Sequence, residues 1–564
     1  MLVTIDQVSG KSFDYIIIGG GTAGLVVAAR LSEDPSLSVL VLEAGEPNLN
    51  DPAILLPSSY GSHFGGDSNY TKAFEELGNK GWNWKTLEKY YKRVERFLPP
   101  NEKHHMLDFD LHEHGLEGPL EVGYPGLLSG FEKPVFEAIM SLGINFTPEP
   151  ARTWLTPVTI SPTTRTRSYA ANMYYEPNAS RSNLIGEVTA RSVSFLHGGK
   201  EYQAFVDKEV VVSAGNQQTP FLISWLIKAQ VLELSGIGDP DVLQKAGVEV
   251  VVDLEGVGNN IQEHLNVGLT YQVKEELEAG FLTFDCMNDP EELRRQKELY
   301  AAGEKGVFDM ATYLMAFMPL SAITPDAQGL QKKYLASIQA RIAAGDYPSG
   351  LKKQYQLQLD HIKAEIPSHE FVVMQRCSFR YSAPDLKRKD INPSINPRFQ
   401  HIKSNNPLEY PEIDPHYFEE EYDIRSFVES FKFVRRVAQQ EPLRSIFVGK
   451  ERDFSWTFGK NRRRDHWYAR RCRHYLSCAS QSTWEMKHTV GSCSMLARGD
   501  GGVVDNKLKV YGTTNVRVID ISIIPLHIGA HTQATAYAIG ELGSGSFFHY
   551  MVKPILATPD LAGR

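Results

Sequence analysis

The feature that most constrains this chain is a glycine-punctuated stretch near its start, Phe13 to Gly45, FDYIIIGGGTAGLVVAARLSEDPSLSVLVLEAG. Tyr15-Ile16-Ile17-Ile18 is a short, β-branched apolar run of the kind that forms a buried strand. Gly19, Gly21 and Gly24 follow at the spacing GxGxxG, and Ala23 to Leu31 is apolar on most sides, as a helix packed on a sheet requires. A second strand, Ser38 to Leu42, ends on Glu43, nineteen residues past Gly24. The first glycine permits a tight turn, the second lets backbone approach a pyrophosphate, and the third brings helix against strand. The helix start offers free N–H groups and the positive end of its dipole to phosphates. Thr22 and Ala23, between the second and third glycines, join the candidate cofactor-binding set. Glu43 can accept from both ribose hydroxyls of an adenosine, and its charge would repel a 2′-phosphate. The stretch predicts dinucleotide binding; alone it leaves FAD and NAD open.

The rest of the chain bounds the class. At 564 residues it has room for two or more domains, and 42% hydrophobic with 23% charged residues is globular. A net charge of −9 and a pI near 6.0 argue against a nucleic-acid or anionic-membrane partner. The first residues lack the basic and apolar regions of a secretory signal, and no apolar run reaches membrane-span length. A cytoplasmic location is therefore expected. Five scattered cysteines suit free thiols in a reducing compartment. The dense histidines His104, His105, His112 and His114 read as a solvated loop; without cysteine or regular ligand spacing no metal site is expected.

Helices are expected over Lys72 to Phe97, with a turn at Gly81 to Trp84, and over Glu132 to Leu142. Further strands are expected at Glu209 to Gly215, Val248 to Leu254, Val503-Val504 and Val516 to Asp520. From about residue 270 to 480 glycine thins and charged helical stretches such as Leu330 to Lys363 appear, which suggests a domain inserted into the first.

A series of motifs spans nearly the whole chain: the fingerprint with Glu43, GPL from Gly118, RSYAA from Arg167, EVVVSAGNQQTP from Glu209, LSGIG from Leu234 and GVGNNIQEH from Gly256. The last third adds HTVGSCSM from His488, GGVVDNKLKVYGTTNVRVIDISIIP from Gly501 and AHTQATAYAIGE from Ala530. In this order they resemble the glucose–methanol–choline (GMC) family of FAD-dependent oxidoreductases. The resemblance implies FAD as cofactor and an α/β fold (α+β overall): a Rossmann-like FAD-binding domain with an inserted substrate domain of antiparallel sheet and helices. It implies a discontinuous FAD domain over 1–130, 181–268 and 484–555, with the substrate domain at 131–180 and 269–483.

The resemblance further implies that His488 and His531 are catalytic and that Asp520, Thr532 and Gln533 contact FAD. Alcohol oxidation needs a base for the hydroxyl proton and an acceptor for the carbinol hydride. A histidine near its neutral pKa can take the proton while flavin N5 takes the hydride. His488 is the expected base, with His531 holding the alkoxide oxygen, on a small-molecule alcohol with O2 or another acceptor. A helix from Thr532 would bring its N-terminal N–H groups beside the flavin N1–C2=O. The oligomeric state stays open.

Three places depart from the family pattern. Only Gly65-Gly66 remains of a longer glycine–serine stretch; Ile223 to Val231 interrupts the run into LSGIG; and Arg452 to Ser480 is rich in arginine and aromatics. Two other outcomes remain open: a non-redox lyase or cyclase on the same fold, or an inactive product lacking its flavin loop.

Overall fold

The computed structural model describes residues 5–45, 55, 68–100, 109–124, 126–144, 157–178, 192–215, 228–266, most of 270–345, 347–365, 369–372, 399–414, 421–452, 484–485 and 488–548. Gly65-Gly66, 223–227 and 453–480, which carry most of the three departures, lie outside them. So do His104 and His105.

The frame is a sheet of five strands. Strand β1 (Ser12–Ile18) leads into helix α1 (Thr22–Leu31) and strand β2 (Val39–Leu42). Helix α2 spans Trp84–Val94, and strands β3 (Val193–His197) and β4 (Lys200–Val212) form a hairpin. Strand β5 (Val516–Val518) and helix α3 (Thr532–Phe548) complete it. The order is β5-β4-β1-β2, all parallel, with β3 antiparallel on β4. Ile16 faces Leu40 on one side and Val210 on the other, and Val210 faces Val516. Ile16, Ile17 and Val211 are fully buried, which is why these strands read as continuous apolar runs rather than alternating ones.

Helix α3 lies on α1, and nearly all of its residues from Thr532 to Glu541 are buried. The helices approach so closely that a Cβ on Gly540 would come within 2.8 Å of Val26 Cβ. Arg30 of α1 forks onto Glu541 of α3, with Nε 2.9 Å and one terminal nitrogen 2.7 Å from Oε1. Arg93 and Tyr174 also reach this fully buried carboxylate, at 3.2 and 3.1 Å. Buried charge is tolerated when paired and hydrogen-bonded in this way.

Several expected elements differ. The stretch Lys72 to Phe97 divides into Ser68–Glu76, a turn, α2 and a strand Glu95–Leu98 that pairs with Leu120–Gly123. Asn83 starts α2 by accepting from Thr86 N at 3.1 Å. Buried Glu95 takes the chain out of the helix, its carboxylate receiving Gly115 N at 2.8 Å and the His114 ring at 2.9 Å. Strand β4 begins at Lys200, well before Glu209, because Gly198-Gly199, both at positive φ, make a two-residue hairpin turn. Only Val252–Asp253 of the Val248 to Leu254 run is strand, and Val503-Val504 contributes isolated bridges. The Leu330 to Lys363 stretch breaks into helices Ala336–Ala344 and Ser349–Lys363 around Gly345, whose φ of 81° ends the first.

A second apolar core gathers Val135, Ile139, Ile160, Met318, Ile323, Phe433, Val437 and Ile446. Helices Glu132–Ser141 and Glu421–Ala438 pack there, with antiparallel pairs Met315–Met318 on His369–Val372 and Thr270–Val273 on Phe447–Arg452. His114, expected in a solvated loop, instead stacks on Phe97 at 3.9 Å and bonds the buried Glu95 carboxylate. Among the described residues no group of histidine, cysteine or acidic side chains could hold a metal ion.

Candidate active site

Two assemblies carry candidate chemistry, one of them where the parallel strands end, the edge at which open α/β sheets bind ligands. The first is the glycine corner. Gly19 leaves β1 at φ 106°, and a Cβ there would lie 2.4 Å from Ser213 O. A Cβ on Gly24 would lie 2.1 Å from Gly19 O, so α1 can seat on the strands only without a side chain at that position. At Gly21 a Cβ would meet nothing within 4 Å, and no side chain caps the start of α1. Open space in front of uncapped N–H groups fits a pyrophosphate. Thr22 is half-buried at the helix start and Ala23 is buried beneath it. Glu43, exposed at the end of β2, accepts Gly20 N at 2.6 Å and Gly45 N at 2.7 Å. Its carboxylate therefore stands beside the turn, where a ribose would follow the phosphates.

Asp520 ties β5 into the same edge. One carboxylate oxygen receives Ser522 N and the other Gly215 N, each at 2.9 Å, while Ser213 Oγ donates to Ile519 O at 2.8 Å. Asp520 thus braces the ends of β4 and β5. Thr532 is buried at the start of α3, and Gln533 Oε1 lies 3.4 Å from Thr159 Oγ1.

The second assembly is a cluster of four histidines. His488 and His531 lie with ring centroids 4.8 Å apart at 62°. His264 and His527 complete the group. The Nδ1 atoms of His264 and His488 are 3.1 Å apart, and the His264 ring stacks on His527 at 3.7 Å. Glu263 fixes the two chain segments: its carboxylate accepts His264 N at 2.8 Å, His488 N at 3.0 Å and the Thr489 hydroxyl. Gln262 links the third segment, accepting His527 N at 3.0 Å and donating to Pro525 O at 3.1 Å. His527 Nε2 lies 2.9 Å from His488 O.

Enclosure by these groups pushes the His488 pKa well below the ordinary histidine value, with His531, His264 and His527 adding to the effect. Burial does the same to His527. His488 is consequently neutral at pH 7 and able to accept a proton.

The structure brings the expected pair His488 and His531 together and adds three members that sequence reasoning left without a role: Glu263, His264 and His527. Glu263 and His264 close the GVGNNIQEH motif, and His527 stands four residues before His531. That placement was the available signal.

The GMC oxidoreductase family description matches residues 400–540, and an NAD(P)-binding Rossmann-like description matches 17–47. A GMC oxidoreductase family protein of Malassezia sympodialis is 28% identical over 619 aligned positions, covering 95% of this chain and 93% of the relative. The chain is thus similar to GMC oxidoreductases along nearly its whole length and carries their C-terminal domain over residues 400–540. Those 619 positions exceed the 564 residues present, so that relative carries segments this chain lacks. Among solved structures, an FAD-dependent oxidoreductase of Chaetomium thermophilum superposes with a TM-score of 0.80 at 23% identity, over 95% of this chain and 99% of that one. A fungal aryl-alcohol oxidase superposes at 0.75 with 23% identity, over 96% and 99%. Both share the α/β fold with this chain. Among the described residues no helix is long and apolar enough to cross a membrane.

Proposed function

We propose that this GMC oxidoreductase uses FAD to oxidise the CH–OH group of a small-molecule alcohol, with O2 or another acceptor taking up the electrons. The observation that carries the reading is the neutral His488 ring facing His531 at 4.8 Å. Gly19, Gly21, Thr22, Ala23, Gly24 and Glu43 would hold the adenosine diphosphate half of FAD; Asp520, Thr532 and Gln533 would contact the rest. When bound, FAD supplies the acceptor for the carbinol hydride. His488 takes the hydroxyl proton, which lets the carbinol carbon release hydride. His531, across from it, hydrogen-bonds the substrate oxygen and shares the charge developing there.

The test is the visible spectrum of the purified chain, followed by anaerobic mixing with a panel of primary and secondary alcohols. Flavin absorption in proportion to protein, bleached by at least one alcohol, is the expected result. A chain that neither retains nor takes up FAD overturns the cofactor assignment. Bound flavin that no alcohol reduces overturns the CH–OH assignment.

A further inference from the structure

The bonds of His264 decide which nitrogen of His488 can act. His264 Nε2 lies 2.9 Å from Ile528 O, and a carbonyl can only accept, so Nε2 carries the hydrogen. In neutral His264 the other nitrogen, Nδ1, is then a bare lone pair. It sits 3.1 Å from His488 Nδ1, and a hydrogen bond between two ring nitrogens needs one proton. That proton belongs to His488. With Nδ1 protonated, neutral His488 keeps its lone pair on Nε2, across the ring from His264.

Three contacts hold this arrangement in register. Glu263 grips the backbone N–H of both His264 and His488. The stacked His527 ring, inclined at 25°, fixes the plane of His264. Ile528, whose carbonyl orients His264, belongs to the segment that runs on to His531. The groups gathered around His488 are thus the rings of His264, His527 and His531 and the carboxylate of Glu263.

We propose that His264 is a positioning residue that locks His488 as its Nδ1–H tautomer, so that Nε2 is the basic atom offered to substrate. The inference rests on the role given to His488 above. It also carries a consequence. Protonated His264 donates from both nitrogens, which forces His488 Nδ1 to accept and places the hydrogen on Nε2, where no proton can then be taken up. A proton on His264 therefore silences the base without touching it.

The tautomer can be read without turnover. In protein carrying ¹⁵N,¹³C-histidine, the His488 ring signals are assigned by their loss in His488→Asn. The expected pattern is the Nδ1–H form in the wild type. In His264→Leu it shifts to the Nε2–H form that imidazole prefers in water. In His264→Asn, whose amide oxygen can accept at the Nδ1 position, the Nδ1–H form persists. With an alcohol that reduces the flavin, His264→Leu lowers kcat/KM by about a hundredfold at unchanged flavin content. His264→Asn stays within about tenfold of wild type, and both lose the acid limb that His264 imposes. Wild-type His488 in the Nε2–H form, or a His264→Leu spectrum like that of wild type, overturns the proposal. If no alcohol reduces the flavin, the function assigned above fails while the NMR result still decides the tautomer.

Discussion

The glycine corner and the histidine cluster are built in opposite ways. Every residue of the corner lies between Phe13 and Gly45, and its geometry is enforced by the lack of side chains: Gly19 and Gly24 are there because a Cβ would strike Ser213 O or Gly19 O. The cluster draws on 262–264, 488–489 and 525–531, and its geometry is enforced by side chains that hold other segments: Glu263 alone fastens His264, His488 and Thr489. The candidate binding corner is thus shaped by close backbone approach, and the candidate proton-handling cluster by long-range hydrogen bonding. Damage to the first should abolish cofactor retention; damage to the second should spare it.

The sharpest break of this contrast is His488→Asn. It should lower kcat/KM about a thousandfold while flavin content and melting temperature stay near wild type. Steady-state kinetics beside the flavin-to-protein absorbance ratio checks it, and loss of flavin in this variant would erase the division. Gly19→Ala should do the reverse. Left-handed backbone and a 2.4 Å clash with Ser213 O cost about 3 kcal/mol together, read by denaturant unfolding, with flavin lost on desalting. Asp520→Asn should cost about 1–2 kcal/mol, since one of its two backbone N–H partners, Ser522 or Gly215, loses its acceptor.

The smallest expected effect is a pH dependence. The folded-state pKa values of His488 and His527 are depressed below the unfolded value of about 6.5. The unfolded chain therefore binds more protons than the native one once pH falls below that value. Stability from these two groups is complete above about pH 6.5 and is lost as pH drops toward their folded pKa values, by at most about 1.4 kcal/mol per group per pH unit. Denaturant midpoints at pH 7.5, 6.5 and 5.5 test this. A His527→Asn variant with the same acid slope as wild type would remove His527 from the explanation.

The same contrast explains what could be read from the sequence. The shape of the corner was legible, because a strand, three glycines, a helix and an acid at fixed spacing constitute a local mechanical device. His488 and His531 were legible only through the family resemblance. His264 and His527 could not be assigned, since what gives them a role is a partner 224 residues away and a carbonyl 264 residues away, respectively for the His488 and Ile528 contacts of His264. Elsewhere, the helix expected through Glu95 failed for a related reason: a buried carboxylate bonded to Gly115 and His114 outweighed local helical preference. Strand β4 extended beyond the apolar run because a Gly-Gly turn, not hydrophobicity, sets its start.

The fork from Arg30 to Glu541 joins positions 511 residues apart. At roughly 5–20 residues per second, a ribosome needs roughly 25 to 100 s to deliver the carboxylate after the guanidinium. For the first third of that interval the first β–α–β unit lacks β4, and for nearly all of it the unit lacks β5 and α3, so the outer face of its helix stands open. That unit cannot complete its packing while synthesis proceeds. Its helix face is closed only once Glu541 and the helix that carries it have been made.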